Sequence, residues 1–277
     1  FRLIEGFKIE EINESEKDKI ALKWINSKFN EKIIQVNEHF SKYRISDALL
    51  TLYKFVWEDF CNWFLEIIKP ERGAKISNKT YDETIEILEK VLKSLHPFMP
   101  FITEELWHLI EEKREDYIIN APYPLKNTFD KKLNSSFDKI FDLVTNVRKL
   151  KSDNGIRQRD EIGISIINKS KFDYDYFKAI IYKLSVAKNL KITKKDNNNY
   201  LSFLSDSDTI FLEIKKSQDS KEETLNQIKY LEGFLASVNK KLENKSFVDN
   251  APKQVIDNEI KKRDDALSKL EILRKKI

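Results

Sequence analysis

Little in this chain can staple, kink or loosen a backbone. Its 277 residues hold one cysteine, one methionine, three histidines, five glycines and six prolines. A lone thiol, Cys61, excludes an internal disulfide and points to a cytosolic setting. So few turn formers argue against a turn-dense all-β fold. No apolar run is long enough to span a bilayer, and no charged-then-apolar leader is visible. No cysteine or second histidine stands at ligand spacing from His96, so a structural histidine is expected and no metal site. No Ser/His/Asp or Cys/His constellation offers a nucleophile, and Cys61 lies in an apolar helical stretch where a thiol is inert. The chain starts at Phe1 rather than Met, which suggests a piece of a longer protein.

What is there is apolar and charged in nearly equal parts, 40% hydrophobic and 35% charged. That is enough to bury a large core, and to build more than one domain, in a helix-rich chain. The net charge of +4 is unevenly spread. Residues 139–195 carry 14 lysines and arginines against six acids. Such a zone fits either a polyanionic partner or a merely solvated surface.

Over residues 18–43 the apolar positions Leu22, Ile25, Phe29, Ile33, Val36 and Phe40 recur every three or four residues, one stripe of a long helix. The stretch from Ser46 to Lys69 is apolar almost all round, which predicts a central helix that Ser46 caps and Pro70 ends. A third helix is expected to open on the capping box Thr80-x-x-Glu83, with Tyr81, Ile85, Leu88, Leu92 and Leu95 as its stripe. His96 before Pro97 closes it. Phe98, Met99 and Phe101 then pack an elbow, Thr103 caps the next helix, and Glu104 and Glu105 offset its dipole.

The two prolines of Ala121–Leu125 favour an extended linker. Beyond it, a helix led by Phe137, Ile140, Phe141 and Val144 ends near Gly155. Residues 162–167 and 209–214 read as strands around a helix at 176–187, a small α+β unit. Arg148, Lys149, Lys151, Arg157 and Arg159 cluster at the end of the first of these helices and in the following loop. Arg148 and Lys151 also suit a helix C-terminus. From Thr224 the seam Thr224, Ile228, Leu231, Leu235, Val238, Leu242 is that of a coiled coil. After a break containing Pro252, a second helix with Ile256, Ile260, Leu267, Leu270 and Ile277 should fold back antiparallel, each arm spanning about 37 Å. Arg263 and Arg274 fall at or near its seam, where they must snorkel or meet an anion.

The run LHPFMPFITEELW (95–107), with FSKYRISDALLTLYKFVWEDFCNWFLEIIKP before it, resembles the anticodon-binding helical domain of class I aminoacyl-tRNA synthetases for aliphatic amino acids, the valyl enzymes most closely. The segment VRKLKSDNGI follows in the valyl order, and residues 230–276 resemble the C-terminal coiled coil of that family. Isoleucyl relatives share the elbow but commonly end in a cysteine-rich zinc module, which one cysteine cannot build. The resemblance implies a mainly α chain in four parts. These are a tail of the connection to a catalytic body (1–17), an anticodon-binding bundle (18–125), a small α+β subdomain (126–218) and an antiparallel coiled-coil hairpin (219–277).

It also implies a tRNA-binding role, with Trp24, Lys28, Phe29 and Lys32 facing the anticodon loop. Phe29 also lies in the apolar stripe, which reads as core; Trp24 lies beside the stripe. Phosphate contacts are expected from Arg148, Lys151, Arg157 and Arg159, and from Lys240, Lys241, Lys245, Arg263 and Arg274 on the hairpin. Neither His-x-Gly-His nor Lys-Met-Ser-Lys-Ser, the family's ATP-handling motifs, occurs in the chain, and no editing domain has a counterpart. The expectation is therefore a monomeric, cytoplasmic tRNA-binding piece without catalytic residues, metal or cofactor. ATP and Mg2+ would belong to the longer enzyme, and the valine tRNA and the enzyme's own catalytic and editing domains would be its partners. A helical protein-interaction scaffold is the competing reading, and salt-insensitive partner binding would favour it.

Overall fold

The computed structural model describes residues 8–70, 75–111, 114–194, 200–215 and 218–243, and then Ile256, Glu259, Ile260, Arg263, Ala266, Leu267 and Leu270. The chain divides into two compact units, Phe1–Glu213 and Ile214–Ile277. Helix dominates both. No helix among the described residues is long and apolar enough to cross a membrane.

Helix α1 (Glu16–Ser41) runs through the middle of the first unit. It opens where the Ser15 hydroxyl accepts the N–H of Asp18, one of four donors a helix start leaves unpaired. Its predicted stripe is its core face: Leu22, Ile25, Phe29, Ile33 and Val36 are all buried. After a turn at Tyr43 comes α2 (Ile45–Lys54), then a π-helical stretch, Phe55–Phe64, and α3 (Leu65–Ile68) before Pro70. The helix thus has the predicted length but not the predicted regularity. At the end of the π stretch the Leu65 N–H reaches back five residues to the Phe60 carbonyl. Phe55, Phe60 and Phe64 of this stretch are all buried in the core.

Three caps differ from expectation. Ser46 is not the cap of α2; Arg44 takes that place without a side-chain bond, and Ser46 sits exposed in the first turn. Helix α4 (Asn78–Leu95) starts before Thr80, because Ser77, extended at the end of β2 (Lys75–Ser77), accepts the Thr80 N–H at 3.1 Å. Thr80 is therefore buried inside the first turn rather than capping it. Helix α5 (Pro100–Ile110) begins on Pro100, whose missing N–H costs nothing at that position. Thr103 lies in its first turn, donating to the Met99 carbonyl at 2.8 Å, and its oxygen is 2.8 Å from His96 Nδ1. Glu104 and Glu105 consequently fall beyond the first turn. Within the elbow Phe98 stacks on Phe40 at 5.8 Å, but Phe101 is 90% exposed and packs nothing. Trp107 is buried with Leu92 and Ile118.

β1 (Lys8–Glu10) pairs in parallel with β2 through Ile9 and Ile76. The other sheet has four strands, β3 (Ile162–Ile167), β4 (Ala187–Ile192), β5 (Tyr200–Ser205) and β6 (Asp208–Lys215), in the order β4-β3-β6-β5. Only β3 and β6 were predictable. β4 is parallel to β3, reached through α7 (Lys178–Ser185), and β6 is antiparallel to it. The turn from α7 into β4 is made by Val186 in a left-handed conformation (φ 53°), rare for a β-branched residue, so the chain leaves the helix two residues earlier than its apolar pattern suggests. Helix α6 (Lys131–Asp153) is capped by Asp130 and ends before Gly155, whose φ of 67° suits glycine. Its Phe137 and Phe141 join the α1 core, so the helices and the sheet share one unit.

In the second unit, α8 (Gln218–Leu242) presents Leu231 and Leu235 to Ala266 and Leu270. The described residues between 256 and 270 are helical. Their inward row is Glu259, Ala266 and Leu270; Leu267, expected at the seam, is exposed. The seam extrapolated from Ile256 and Ile260 is one residue out of phase at that point, and alanine takes the inner place. Thr224 and Ile228 at one end and Ile277 at the other lie outside the described side chains.

Candidate nucleic-acid interface

The α1 surface expected to face RNA is covered by α6. Trp24 is 0% exposed, stacked on Phe137 at 4.6 Å and 13° and meeting Phe141 edge-on at 5.1 Å. A ring enclosed on both faces offers none to a base, so Trp24 is a core residue, as is Phe29, which lies edge-on to Phe55 at 5.6 Å. Lys28 is buried as well, 3.4 Å from Glu31 and 3.6 Å from Asp138. Burial opposes its charge, but Asp138, Asp59 and Glu31 outweigh that and raise its pKa. Asp59, on the π stretch, completes the group. Burial pushes its carboxyl up to about 6 against the pull of Lys28 and Lys32. Of the four α1 candidates, Lys32 alone keeps an exposed part.

The outward face that α2 shares with the start of the π stretch has what the α1 face lacks. Ala48, Leu52 and Phe55 turn inward, while Leu50, Tyr53 and Trp57 turn to solvent, Tyr53 and Trp57 each 58% exposed. Tyr43 precedes them and Phe101 projects from the start of α5, both exposed. An almost wholly apolar groove of about 540 Å³ runs here, lined by Leu49, Leu50, Tyr53, Val56, Leu95 and Met99 with Ser46 at its edge. Lys42 and Lys54 are exposed in the same stretch of chain, and Arg44 pairs with Asp47 at 2.7 Å. Flat rings beside cations are what unpaired bases stack on. Reading Ser46–Lys69 as apolar all round hid this face. The signal available was the spacing of Leu50, Tyr53 and Trp57 opposite Ala48, Leu52 and Phe55. Cys61 is exposed too, rather than inside an apolar helix, and burial of part of its surroundings raises its thiol pKa.

The basic zone separates into buried and exposed cations. Lys151 is buried and donates to three carbonyls, those of Gln158, Asp160 and Ser185, at 3.1, 2.8 and 3.0 Å. Burial lowers its pKa. Its three protons all serve to tie α6 to the following loop and to α7. Arg148 is half-buried, donates to the Leu184 carbonyl at 3.0 Å and lies 5.5 Å over the Trp63 ring, which itself stacks on Phe141. Arg157 is exposed and paired with Asp160 at 2.9 Å; Arg159 is exposed and takes no ion pair among the described residues. Of the cations clustered at the end of α6 and in the loop after it, the two loop arginines and exposed Lys149 are therefore the ones open to a phosphate. On the second unit Lys240 and Lys241 are exposed and Arg263 is half-buried. Lys245 and Arg274 lie outside the described residues.

Two family models match the chain. The anticodon-binding domain of tRNA ligase covers residues 22–167, and the valyl tRNA synthetase tRNA binding arm covers residues 218–277. Among curated proteins, the valine–tRNA ligase of Christiangramia forsetii is 40% identical over 99% of this chain and 32% of its own length. Those of Parabacteroides distasonis and Bacteroides thetaiotaomicron are each 33% identical over 100% of this chain and 32% of theirs. The chain thus spans about a third of the length of the curated relatives it matches.

Proposed function

The chain belongs to the family of anticodon-binding domains of tRNA ligases, and from that premise we propose that it is the tRNA-binding C-terminal part of a valine–tRNA ligase. The observation that carries the reading is the order of two matches, an anticodon-binding domain over residues 22–167 followed by a valyl-type tRNA-binding arm over residues 218–277. The bundle recognises the anticodon stem-loop through the outward face of α2, with Tyr53 and Trp57 as stacking platforms and Lys32, Lys42 and Lys54 as phosphate contacts. Arg157 and Arg159 hold the backbone further along. The second unit is an antiparallel two-helix coiled coil that braces the outer corner of the tRNA, a reading supported by the packing of Leu231 and Leu235 against Ala266 and Leu270. Its Lys240 and Lys241 engage phosphates with little base selectivity and add affinity by raising effective concentration.

In this account the segment is a cytoplasmic monomer that needs no cofactor. ATP, Mg2+ and the aminoacylation step belong to catalytic and editing parts of a longer chain, so this chain alone supports no valine-dependent ATP–pyrophosphate exchange. The test is a titration of valine and non-valine tRNA transcripts at two salt concentrations. Tighter binding of the valine tRNA, weakening steeply with salt, supports the reading, because phosphate contacts release counterions. Salt-insensitive binding without preference among tRNAs counts against it and returns the chain to a protein-interaction scaffold.

A further inference from the structure

A cavity of about 500 Å³ opens between the first turns of α6 and the segment 170–177, and it shares no residue with the α2 groove. That is the size of an ordinary small-ligand site, about 300–1,000 Å³. One wall is aromatic. Phe172 stacks on Phe177 at 5.5 Å and 15° and carries the Lys139 ammonium 5.0 Å over its ring; the open ring is Tyr176, which meets Phe177 edge-on at 4.9 Å and is 45% exposed. Leu133 supplies an aliphatic floor.

The charges around the cavity are of two kinds. At the back, Lys139 donates to Asp208 at 2.8 Å and to Ser170 at 2.9 Å. Asp208 is fully buried and also receives the Ser170 N–H and the Tyr174 hydroxyl, each at 2.7 Å. Burial works against its charge, yet these donors hold its carboxyl far below the usual range. Lys139 is therefore neutralised and fixed. The two acids at the rim are also engaged: Asp130 accepts the Leu133 N–H at 2.9 Å and Asp173 the Tyr176 N–H at 3.1 Å. Lys132 and Lys171 are different. Both line the cavity, both are exposed, and neither takes an ion pair among the described residues.

A flat ring beside two such ammonium groups matches one ligand chemistry, an unstacked nucleotide with its base on the ring and its phosphate between cations. A bare phosphate would leave the ring unused, and an uncharged ring the lysines. We propose that this cavity binds a single unpaired nucleotide, its base against Tyr176 and its phosphate between Lys132 and Lys171. The site stands apart from the α2 groove and does not depend on it.

The test uses the whole 277-residue chain. AMP, adenosine and inorganic phosphate are followed by ligand-detected NMR, and a tRNA transcript by filter binding, on the parent, Tyr176→Ala and the double variant Lys132→Gln with Lys171→Asn. Asparagine tolerates the left-handed φ of 58° at position 171, and both lysines are exposed, so the double variant carries the test should Tyr176→Ala melt early. The expected result is that AMP binds better than adenosine or phosphate, and that the variants abolish AMP binding. They also lower tRNA affinity about fivefold or more, the loss of one stacked base. Loss of AMP binding with tRNA affinity intact supports the cavity and assigns it to a free nucleotide. An absent AMP signal with unchanged tRNA affinity, or AMP binding that survives in the lysine variant, overturns the proposal.

Discussion

Two faces of the same bundle invert their expected roles. The α6-facing side of α1 carries Trp24 and Lys28, residue types that suit RNA, and both are buried; Phe29 is buried too, against Phe55. The outward side of α2 reads as central core, and leaves Tyr53, Trp57 and the groove beside them in solvent. The difference lies in what packs against each. α6 returns from a later part of the chain to cover α1, bringing Phe137 and Phe141 as partners for Trp24 and Asp138 for Lys28. Nothing among the described residues covers α2 in the same way. Aromatic and cationic residues on a helix announce a nucleic-acid face only if no later element claims them.

The largest expected effect is at Trp24. Trp24→Ala should lose roughly 3–5 kcal/mol of stability, the cost of emptying a core site of that size. Its indole N–H has no hydrogen-bond partner among the described residues, so Trp24→Phe should lose much less. Trp57→Ala, on the open face, should change stability by no more than about 0.5 kcal/mol. Urea melts of the three variants check this, and equal losses at Trp24 and Trp57 would erase the contrast.

The basic zone repeats the contrast on a smaller scale. Lys151→Ala should cost roughly 1–3 kcal/mol, because it strands the buried carbonyls that Lys151 serves. Arg157→Ala with Arg159→Ala should leave the melt unchanged and lower the salt slope of tRNA binding by about 0.7–0.9 for each phosphate no longer neutralised. A lower melting point in the arginine pair, or an unchanged slope, would make the loop part of the scaffold.

Asp59, beside Lys28 and Asp138, gives the packing of α6 on α1 a pH signature. Its folded pKa of about 6 lies above the ordinary carboxylate value, so the folded state holds its proton more tightly than the unfolded chain does. The stability this contributes is fully present below about pH 4 and is lost as pH rises through 6. Denaturant melts across that window should show the parent weakening with pH more than Asp59→Asn. Parallel profiles would mean that Asp59 is solvated and the contact between α1 and α6 open there.

The stripe of α1, the stop at Pro70, the elbow at His96–Pro100 and the strands at 162–167 and 209–214 were all legible, because each has a strong local signal: apolar period, proline or β-branched run. β4 and β5 were not. β4, sequence AKNLKI, has a short alternation directly after α7, and the helix pattern runs into it without a break. The caps shifted by a few residues for a similar reason, since Ser77 and Pro100 outcompete Thr80 and Thr103 only once the preceding backbone is known to be extended or turned. Within the site, the exposed arginines could be picked out by their loop position. Lys151 could not, because its three acceptors come from residues up to 34 positions away. The exposure of Tyr53 and Trp57 had a weaker signal, their spacing with Leu50 opposite Ala48, Leu52 and Phe55, which an almost continuous apolar run hides.

The most direct test of the α2 face is the tRNA affinity of Tyr53→Ala and Trp57→Ala beside that of Trp24→Phe, each measured where the variant is fully folded. A loss of roughly 1–3 kcal/mol for each stacked base removed is expected in the α2 variants, with Trp24→Phe binding as the parent does. Undiminished affinity in both α2 variants, together with a loss in Trp24→Phe, would contradict the account and return the anticodon to α1.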